Sequence, residues 1–256
     1  MPTHPRHPQQ LQGWTVLSLR PRGQHAGLRA VASRYGARLL ALSPFAIEPL
    51  VDPEHRKTLK QGLAADIVIW TSPNAVRAAA ALQPLKARRG QAWLAVGSGT
   101  RRALLRAGID ALAPSRMDSE GLLAMPELQG IRYRSVGLVT APGGRGLLAP
   151  TLSKRGAQVV RADVYARQPI AFTPRATTAL NAALGSPQRV LLVLSSQEAL
   201  QRLLAARTAS ALAAIAVVAA SRRLADVARQ SGFQRIAVAS SASPAALMQA
   251  AASAFV

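Results

Sequence analysis

The 256-residue sequence contains no cysteine, and this absence excludes disulfide bonds, thiolate metal sites and a cysteine nucleophile. Long apolar runs are also missing, because Arg, Pro or Gly interrupts each one before it reaches the about 18 residues that a membrane helix requires. Residues 1–10 are polar and lack the apolar core of a signal peptide. We therefore expect a soluble cytoplasmic protein in which residues 1–13 are disordered.

Acidic and aromatic side chains are both scarce. The chain has 11 Asp and Glu against 32 Lys and Arg, a formal net charge of +21, and 4% aromatic residues. An excess of positive charge favours an anionic partner. Nucleic acid is disfavoured, because the basic residues are scattered and no nucleic-acid-binding motif is present. A polycarboxylate small molecule fits the charge, and the coding bias of a GC-rich genome is an alternative source of it.

Short β-rich apolar runs alternate with helical patterns rich in Ala, Leu and Arg, which is typical of βαβ units in an α/β fold with a parallel sheet. In the helix predicted over residues 24–35, Leu28, Val31 and Ala32 share one face, and Gly36 is placed to end it. Strands are predicted at residues 15–19, 38–42, 67–70, 92–96, 135–140, 158–164, 190–194, 215–219 and 236–239.

The chain contains an internal duplication. Residues 16–49 match residues 136–169 strand for strand, with Gly36 opposite Gly156. Further along, the loop at Ser72 corresponds to the loop at Ser196, and we expect Ser119 and Ser243 to cap equivalent helices. Two similar α/β halves follow, and the pattern alone divides the chain once, near Gly130.

Hydroxyl and amide side chains follow several of the predicted strands, where each strand passes into a helix. Open parallel sheets bind ligands beyond the carboxyl ends of their strands, where helix N-termini favour anions. Any α/β protein caps helices with such residues, but their recurrence in both halves favours a function. The residues are Thr71, Ser72, Asn74, Thr100, Ser195, Ser196 and Ser221.

In its order of motifs the chain resembles uroporphyrinogen-III synthase from about Trp14 to the C-terminus. The motifs are Arg20-Pro21, Thr71-Ser72-Pro73-Asn74-Ala75-Val76, Val96-Gly97-Ser98-Gly99-Thr100, Ser119-Glu120-Gly121-Leu122-Leu123, Gly143-Gly144-Arg145, Gly156-Ala157, Val164-Tyr165, Ser195-Ser196, Ser221-Arg222-Arg223-Leu224-Ala225 and Gly232-Phe233.

The resemblance implies two similar domains, each a parallel β-sheet flanked by helices (flavodoxin-like or Rossmann-like), joined by a two-stranded linker. Domain one is expected at residues 1–43 plus 168–256, domain two at residues 48–165, and the linker at residues 44–47 and 166–167.

The resemblance also implies a cyclising lyase of tetrapyrrole and haem biosynthesis. We expect a monomer, although the sequence itself does not give the oligomeric state. Its substrate, hydroxymethylbilane, would lose water and close with its last ring inverted, giving uroporphyrinogen III without a metal or other cofactor. Tyr165 would donate a proton to the leaving hydroxyl or hydrogen-bond it. Arg20 and Arg145, together with the hydroxyl and amide residues above, would bind the substrate carboxylates. One departure is Leu224, which stands in the second half where Thr100 stands in the first.

Three alternatives stay open. The chain could be a two-lobed α/β binding protein that holds an anionic ligand without turnover, although such proteins are usually exported. It could be a basic nucleic-acid-associated protein, whose binding would weaken steeply with salt. It could also be a family member that has lost its activity.

Overall fold

The computed structural model describes residues 10–143, 146–207 and 209–256. Residues 10–13 form a turn in which Leu11 is fully buried and its backbone N–H donates to the Tyr35 carbonyl over 2.9 Å. The predicted disorder is therefore wrong for residues 10–13, because Leu11 packs into the same apolar cluster as Trp14. Residues 1–9 lie outside the described residues.

The described residues form strands and helices that alternate over most of the chain. The strands are β1 (Thr15–Ser18), β2 (Arg38–Ala41), β3 (Phe45–Pro49), β4 (Ile67–Trp70), β5 (Ala92–Ala95), β6 (Ser135–Thr140), β7 (Gln158–Asp163), β8 (Tyr165–Pro169), β9 (Val190–Leu194), β10 (Ala216–Ala219) and β11 (Arg235–Val238). The helices are α1 (Ala26–Arg34), α2 (Pro53–Leu63), α3 (Pro73–Leu82), α4 (Ser98–Arg106), α5 (Ser119–Leu123), α6 (Leu148–Lys154), α7 (Pro174–Leu184), α8 (Gln197–Ala206), α9 (Ala209–Leu212), α10 (Arg222–Gln230) and α11 (Pro244–Phe255).

Every strand predicted from the sequence is confirmed to within one residue at each end. The helix predicted before Gly36 is confirmed as α1, and Gly36 has a φ of 78°, a left-handed conformation that glycine adopts without a steric penalty. The cap of α5 differs from the prediction. Asp118 accepts the Gly121 N–H and caps this helix, so Ser119 is its first residue, whereas Ser243 caps α11 as predicted.

The chain folds into two compact units. One unit comprises the described residues up to Ala46 together with Gln168–Val256, and the other comprises Ile47–Arg167. The chain passes between the units within β3 and β8, which pair as a two-stranded sheet. The single division near Gly130 is therefore wrong, because Gly130 lies inside the second unit and each unit takes strands from both halves of the duplication.

The first unit contains a parallel sheet with the strand order β11-β10-β9-β1-β2. This is the flavodoxin-like order, in which the direction of winding reverses between two neighbouring strands. Here the reversal falls between β1 and β9, where Ser18 is paired with Val193. A ligand of such a sheet is expected outside the carboxyl ends of these two strands.

The second unit contains a parallel sheet with the order β5-β4-β6-β7, and the winding reverses between β4 and β6. Under the duplication these strands correspond to β10, β9, β1 and β2, which stand in the same order in the first unit. A parallel bridge between Leu94 and Leu112 lies where β11 would correspond. The sheet topology therefore agrees with the internal duplication, because corresponding strands stand in the same order in the two units.

Both sheets are covered by apolar clusters on both faces, which is why their strands are almost wholly hydrophobic. In β1, Leu17 belongs to the cluster on one face and Val16 to the cluster on the other. In β4, Trp70 and Ile69 divide in the same way, and the Trp70 ring stacks on Trp93 with centroids 5.3 Å apart. No helix of the described residues is long and apolar enough to cross a membrane.

Candidate functional site

In the second unit, threonine side chains meet at the point where the winding of the sheet reverses. The register pairs Trp70 of β4 with Val139 of β6, so the next residues, Thr71 and Thr140, are neighbours. Their Oγ1 atoms are 2.9 Å apart, and the Thr71 N–H donates to the Val139 carbonyl over 3.2 Å. The parallel register therefore fixes Thr71 at the carboxyl edge of the sheet.

Ser72 joins the start of α3 to Tyr165. Its Oγ accepts the Ala75 N–H over 3.1 Å, which caps the helix, and lies 3.1 Å from Tyr165 Oη. Tyr165 begins β8 and is 1% exposed, with its ring in the cluster that contains Trp70. The tyrosine hydroxyl therefore lies behind Ser72 in the structure, with the half-buried serine nearer to solvent.

The other predicted residues of this unit lie in the first turns of two packed helices. Asn74 is in the first turn of α3, where its side-chain oxygen accepts from Arg77. Thr100 is in the first turn of α4, 4% exposed, with its N–H donating to the Gly97 carbonyl over 3.0 Å. Both helices begin at the carboxyl edge of the sheet, and helix N-termini favour negative groups.

In the first unit, serines follow the neighbouring strands β9 and β10. Ser195 is exposed, and Ser196 caps α8 by accepting the Ala199 N–H over 3.3 Å. Ser221 caps α10 by accepting the Leu224 N–H over 3.3 Å. Leu224 itself is buried in the apolar core, so the position that corresponds to Thr100 offers no hydroxyl in this unit.

Arg20 follows β1, on the other side of the reversal from Ser195. Its guanidinium is half-buried, and its Nε atom is buried without a hydrogen-bond partner among the described residues. Burial lowers the pKa of Arg20, because the charged form loses solvation. A guanidinium in this position is suited to bind an anion that restores the lost interactions.

His25 is a residue of this edge that sequence reasoning missed. The imidazole is 7% exposed, with Nδ1 2.9 Å from Ser18 Oγ and Nε2 2.8 Å from Ser43 Oγ. Burial, followed by the charges of Arg29 and Arg20, lowers the pKa of His25. The available signal was its position in the loop between β1 and α1, but a lone histidine forms no recognisable motif.

The structure thus distributes the predicted residues over the carboxyl edges of two sheets. Thr71, Ser72, Asn74, Thr100 and Tyr165 belong to the edge of the second unit, and Arg20, Ser195, Ser196 and Ser221 to that of the first. Arg145 lies outside the described residues. Thr140 was missed together with His25, because its importance comes from the pairing of β4 with β6.

Comparison with protein families gives a match over most of the chain. The family model described as uroporphyrinogen-III synthase HemD matches residues 27–249. The uroporphyrinogen-III synthase of Salmonella typhimurium (strain LT2) is 33% identical over 207 residues, which cover 72% of this chain and 78% of that protein. The uroporphyrinogen-III synthase of Escherichia coli (strain K12) is 34% identical over 165 residues, which cover 62% and 65% of the two chains.

Solved structures of the same name share the fold. A mutant uroporphyrinogen III synthase from the extremely thermophilic bacterium Thermus thermophilus aligns with a TM-score of 0.62 at 23% identity, over 93% of this chain and 96% of that one. The uroporphyrinogen-III synthetase of Helicobacter pylori 26695 aligns with a TM-score of 0.60 at 17% identity, over 94% and 98%. At these identities the likeness concerns the arrangement of the backbone.

Proposed function

The chain belongs to the uroporphyrinogen-III synthase family, and we propose that the residues at its two sheet edges bind and cyclise hydroxymethylbilane to uroporphyrinogen III. The match to the family model over residues 27–249 supports the reaction, and the roles of the individual residues are part of the proposal. The reaction makes the chain a cyclising lyase of tetrapyrrole biosynthesis. The overall change is the loss of one water molecule, ring closure and inversion of the last pyrrole ring.

Recognition of the substrate rests on its carboxylates, which the described edges are suited to bind. Helix N-termini with serine or threonine hydroxyls flank the reversal of each sheet, at Thr71 and Ser72 in one unit and at Ser196 in the other. Arg20 adds a guanidinium whose buried Nε has no hydrogen-bond partner in the described part of the chain. We propose that these donors hold acetate and propionate groups, with the net charge of +21 favouring the approach of the polyanion.

The chemistry is driven by the substrate itself. A pyrrole nitrogen lone pair expels the hydroxymethyl oxygen, which takes up a proton and leaves as water, and the product is a cationic azafulvene. The substituted carbon of the terminal ring attacks this cation and gives a spiro intermediate. The bond between the spiro carbon and its original methylene bridge then breaks. That methylene joins the unsubstituted carbon of the same ring, and a proton is lost. The protein has to fold the linear substrate, supply the first proton and exclude water.

Ser72 and Tyr165 are the proposed source of that proton. The Oγ of Ser72 accepts the Ala75 N–H, and when it also accepts the Tyr165 O–H its own proton points away from both. A hydroxyl that accepts two hydrogen bonds is a better donor, because the bonds polarise one another. Tyr165 is thus proposed as the proton donor that acts through Ser72 on the leaving hydroxyl.

One chain is proposed to be sufficient for the reaction, because each sheet edge draws its residues from a single copy. This proposal is tested by light scattering at the protein concentration at which the activity is measured. A monomer mass in a fully active sample supports the proposal. A dimer that dissociates on dilution, with loss of activity at the same concentration, would contradict it.

The product isomer tests the proposed reaction. Freshly generated hydroxymethylbilane is incubated with and without the protein, then oxidised, and the uroporphyrin isomers are separated by chromatography. Spontaneous closure gives isomer I, so isomer III in the presence of the folded protein is the expected result. Isomer I alone would reject the synthase reaction and leave a binding role for the anion sites.

A further inference from the structure

The loop between β1 and α1 contains a histidine that the proposed reaction does not use. We infer that His25 is a positioning residue, and that its hydrogen bonds to Ser18 and Ser43 hold the loop in the conformation in which Arg20 binds a substrate carboxylate. The inference rests on the proposed function, and it assigns to this chain a residue that acts through Arg20.

The imidazole connects three elements of the first unit. Ser18 is the last residue of β1, Ser43 follows β2, and His25 immediately precedes α1. The distances of 2.9 Å to Ser18 Oγ and 2.8 Å to Ser43 Oγ are those of full hydrogen bonds. One ring nitrogen donates and the other accepts, so both serines are engaged by a neutral ring.

The loop that carries Arg20 is fixed at further points. The Arg22 N–H donates to the Phe45 carbonyl over 2.9 Å, and the Gln24 N–H donates to the Pro21 carbonyl over 3.0 Å. With His25 at its end, the segment from Ser18 to the start of α1 is held at both ends and in the middle. Such a segment holds the backbone of Arg20 in place, which reduces the ordering cost when a ligand arrives.

The electrostatics of this loop favour an external anion. The buried Nε of Arg20 has no hydrogen-bond partner among the described residues. Leaving such a donor unpaired is unfavourable, and a bound carboxylate would correct it. Burial lowers the pKa of His25 and so favours the neutral imidazole, which fixes the loop without adding a further cation beside Arg20 and Arg29.

A double-mutant cycle separates positioning from a merely structural role. The probe is uroporphyrin III, the octacarboxylate obtained by oxidising the product, and its dissociation constant is measured by fluorescence. Arg20→Gln is expected to weaken binding about tenfold, and His25→Ala about fivefold, because the loop then loses both bridges. The double variant should bind no more weakly than Arg20→Gln alone, since His25 acts only through Arg20.

Matched variants make the result specific. Arg22→Gln removes an exposed positive charge from the same loop and should change the dissociation constant less than about twofold. His25→Asn and His25→Gln each keep one of the two hydrogen bonds and should recover part of the affinity. These variants also serve if His25→Ala does not fold, and thermal unfolding of every variant is measured in parallel.

Two outcomes would overturn the inference. Additive effects in the double variant would show that His25 does not act through Arg20. The same would follow if the folded His25→Asn and His25→Gln variants bound the octacarboxylate as tightly as the wild type. Isomer III formation by the wild-type protein is measured on the same preparation. If the wild-type protein forms isomer III and the cycle is additive, only the inference fails. If the wild-type protein forms no isomer III and does not bind the octacarboxylate, the proposed function fails as well.

Discussion

At the scale of single residues, Ser72 Oγ takes part in two contacts with different consequences. The bond from the Ala75 N–H stabilises the start of α3, and the contact with Tyr165 Oη connects the helix to a buried phenol. Replacing Ser72 by alanine would remove both contacts, with about 1 kcal/mol lost from the cap alone. Tyr165 is therefore the better position at which to test the proton donor.

Tyr165→Phe removes the hydroxyl and keeps the buried ring. We expect kcat for isomer III formation to fall about tenfold, because the polarising bond to Ser72 is lost. The free energy of unfolding should fall by only about 1 kcal/mol, the net value of one hydrogen bond. Rates from the chromatographic assay and a urea titration measure the two effects.

The matched control for this prediction is Tyr133→Phe, which changes a tyrosine of the same unit that is 75% exposed. It should leave both rate and stability unchanged. An unaltered kcat in Tyr165→Phe would restrict Tyr165 to a packing role and leave Ser72 without the proposed partner.

The site residues that could be predicted from the sequence differ from the others in how far along the chain their partners lie. Ser72, Ser196 and Ser221 could be predicted, because a serine before a helical pattern has a local reason to be there. Thr140 and His25 could not, because their contacts join segments far apart in the sequence. A side chain whose partners are set by strand pairing leaves no local pattern.

At the scale of elements, α2 packs against β6 without an intervening side chain. A Cβ added at Gly137 would lie 1.9 Å from the carbonyl oxygen of Gly62, so backbone meets backbone here. We expect Gly137→Ala to destabilise the protein by about 3 kcal/mol, because the helix must move away from the sheet. Urea denaturation measures the change.

Gly27→Ala is the control for this close approach. Gly27 lies within α1, and a Cβ added there would meet Pro244 Cγ at 3.9 Å, an ordinary contact. The substitution should stabilise the protein by about 0.5–1 kcal/mol, since alanine favours the helix. Equal stability changes for the two alanine variants would contradict the packing described for α2 and β6.

A carboxylate joins the amino ends of β4 and β6. Asp66 Oδ2 accepts from Ser135 Oγ over 2.7 Å and from the Ser135 N–H over 2.8 Å. The side-chain bond first, then the backbone bond, lowers the pKa of Asp66. A carboxyl whose folded pKa is depressed contributes stability above its unfolded pKa of about 3.9, and the contribution is lost as the pH falls through the folded value.

Asp66→Asn tests this connection. The variant should be less stable than the wild type at neutral pH, and the difference should shrink below about pH 4. Urea midpoints measured across this range provide the comparison. A difference that stays constant with pH would show that the ionised carboxylate does not contribute.

Most elements could be predicted from the sequence, but their grouping could not. The periodicity of the apolar residues and the positions of turn residues located the predicted strands, because both signals act within a few residues. The division near Gly130 was wrong, because the strands of each sheet come from both halves of the duplication. Only the resemblance to a known family indicated a domain whose segments are separated in the sequence.

At the scale of the whole molecule, the net charge of +21 is expected to act on the encounter with a polyanionic substrate. We predict that kcat/KM falls several-fold between low and physiological ionic strength, because salt screens the attraction. Steady-state rates over a salt series measure the effect, with thermal unfolding as a check that the fold is intact. A flat salt profile would favour coding bias as the source of the charge.

Turnover of hydroxymethylbilane by this chain can be tested in a time course with substrate in large molar excess over protein. We predict that isomer III accumulates well beyond one equivalent of protein before the spontaneous reaction consumes the substrate. Isomer III formation that stops at or below one equivalent, or product that remains isomer I throughout, would contradict turnover and leave only a binding role for the anion sites.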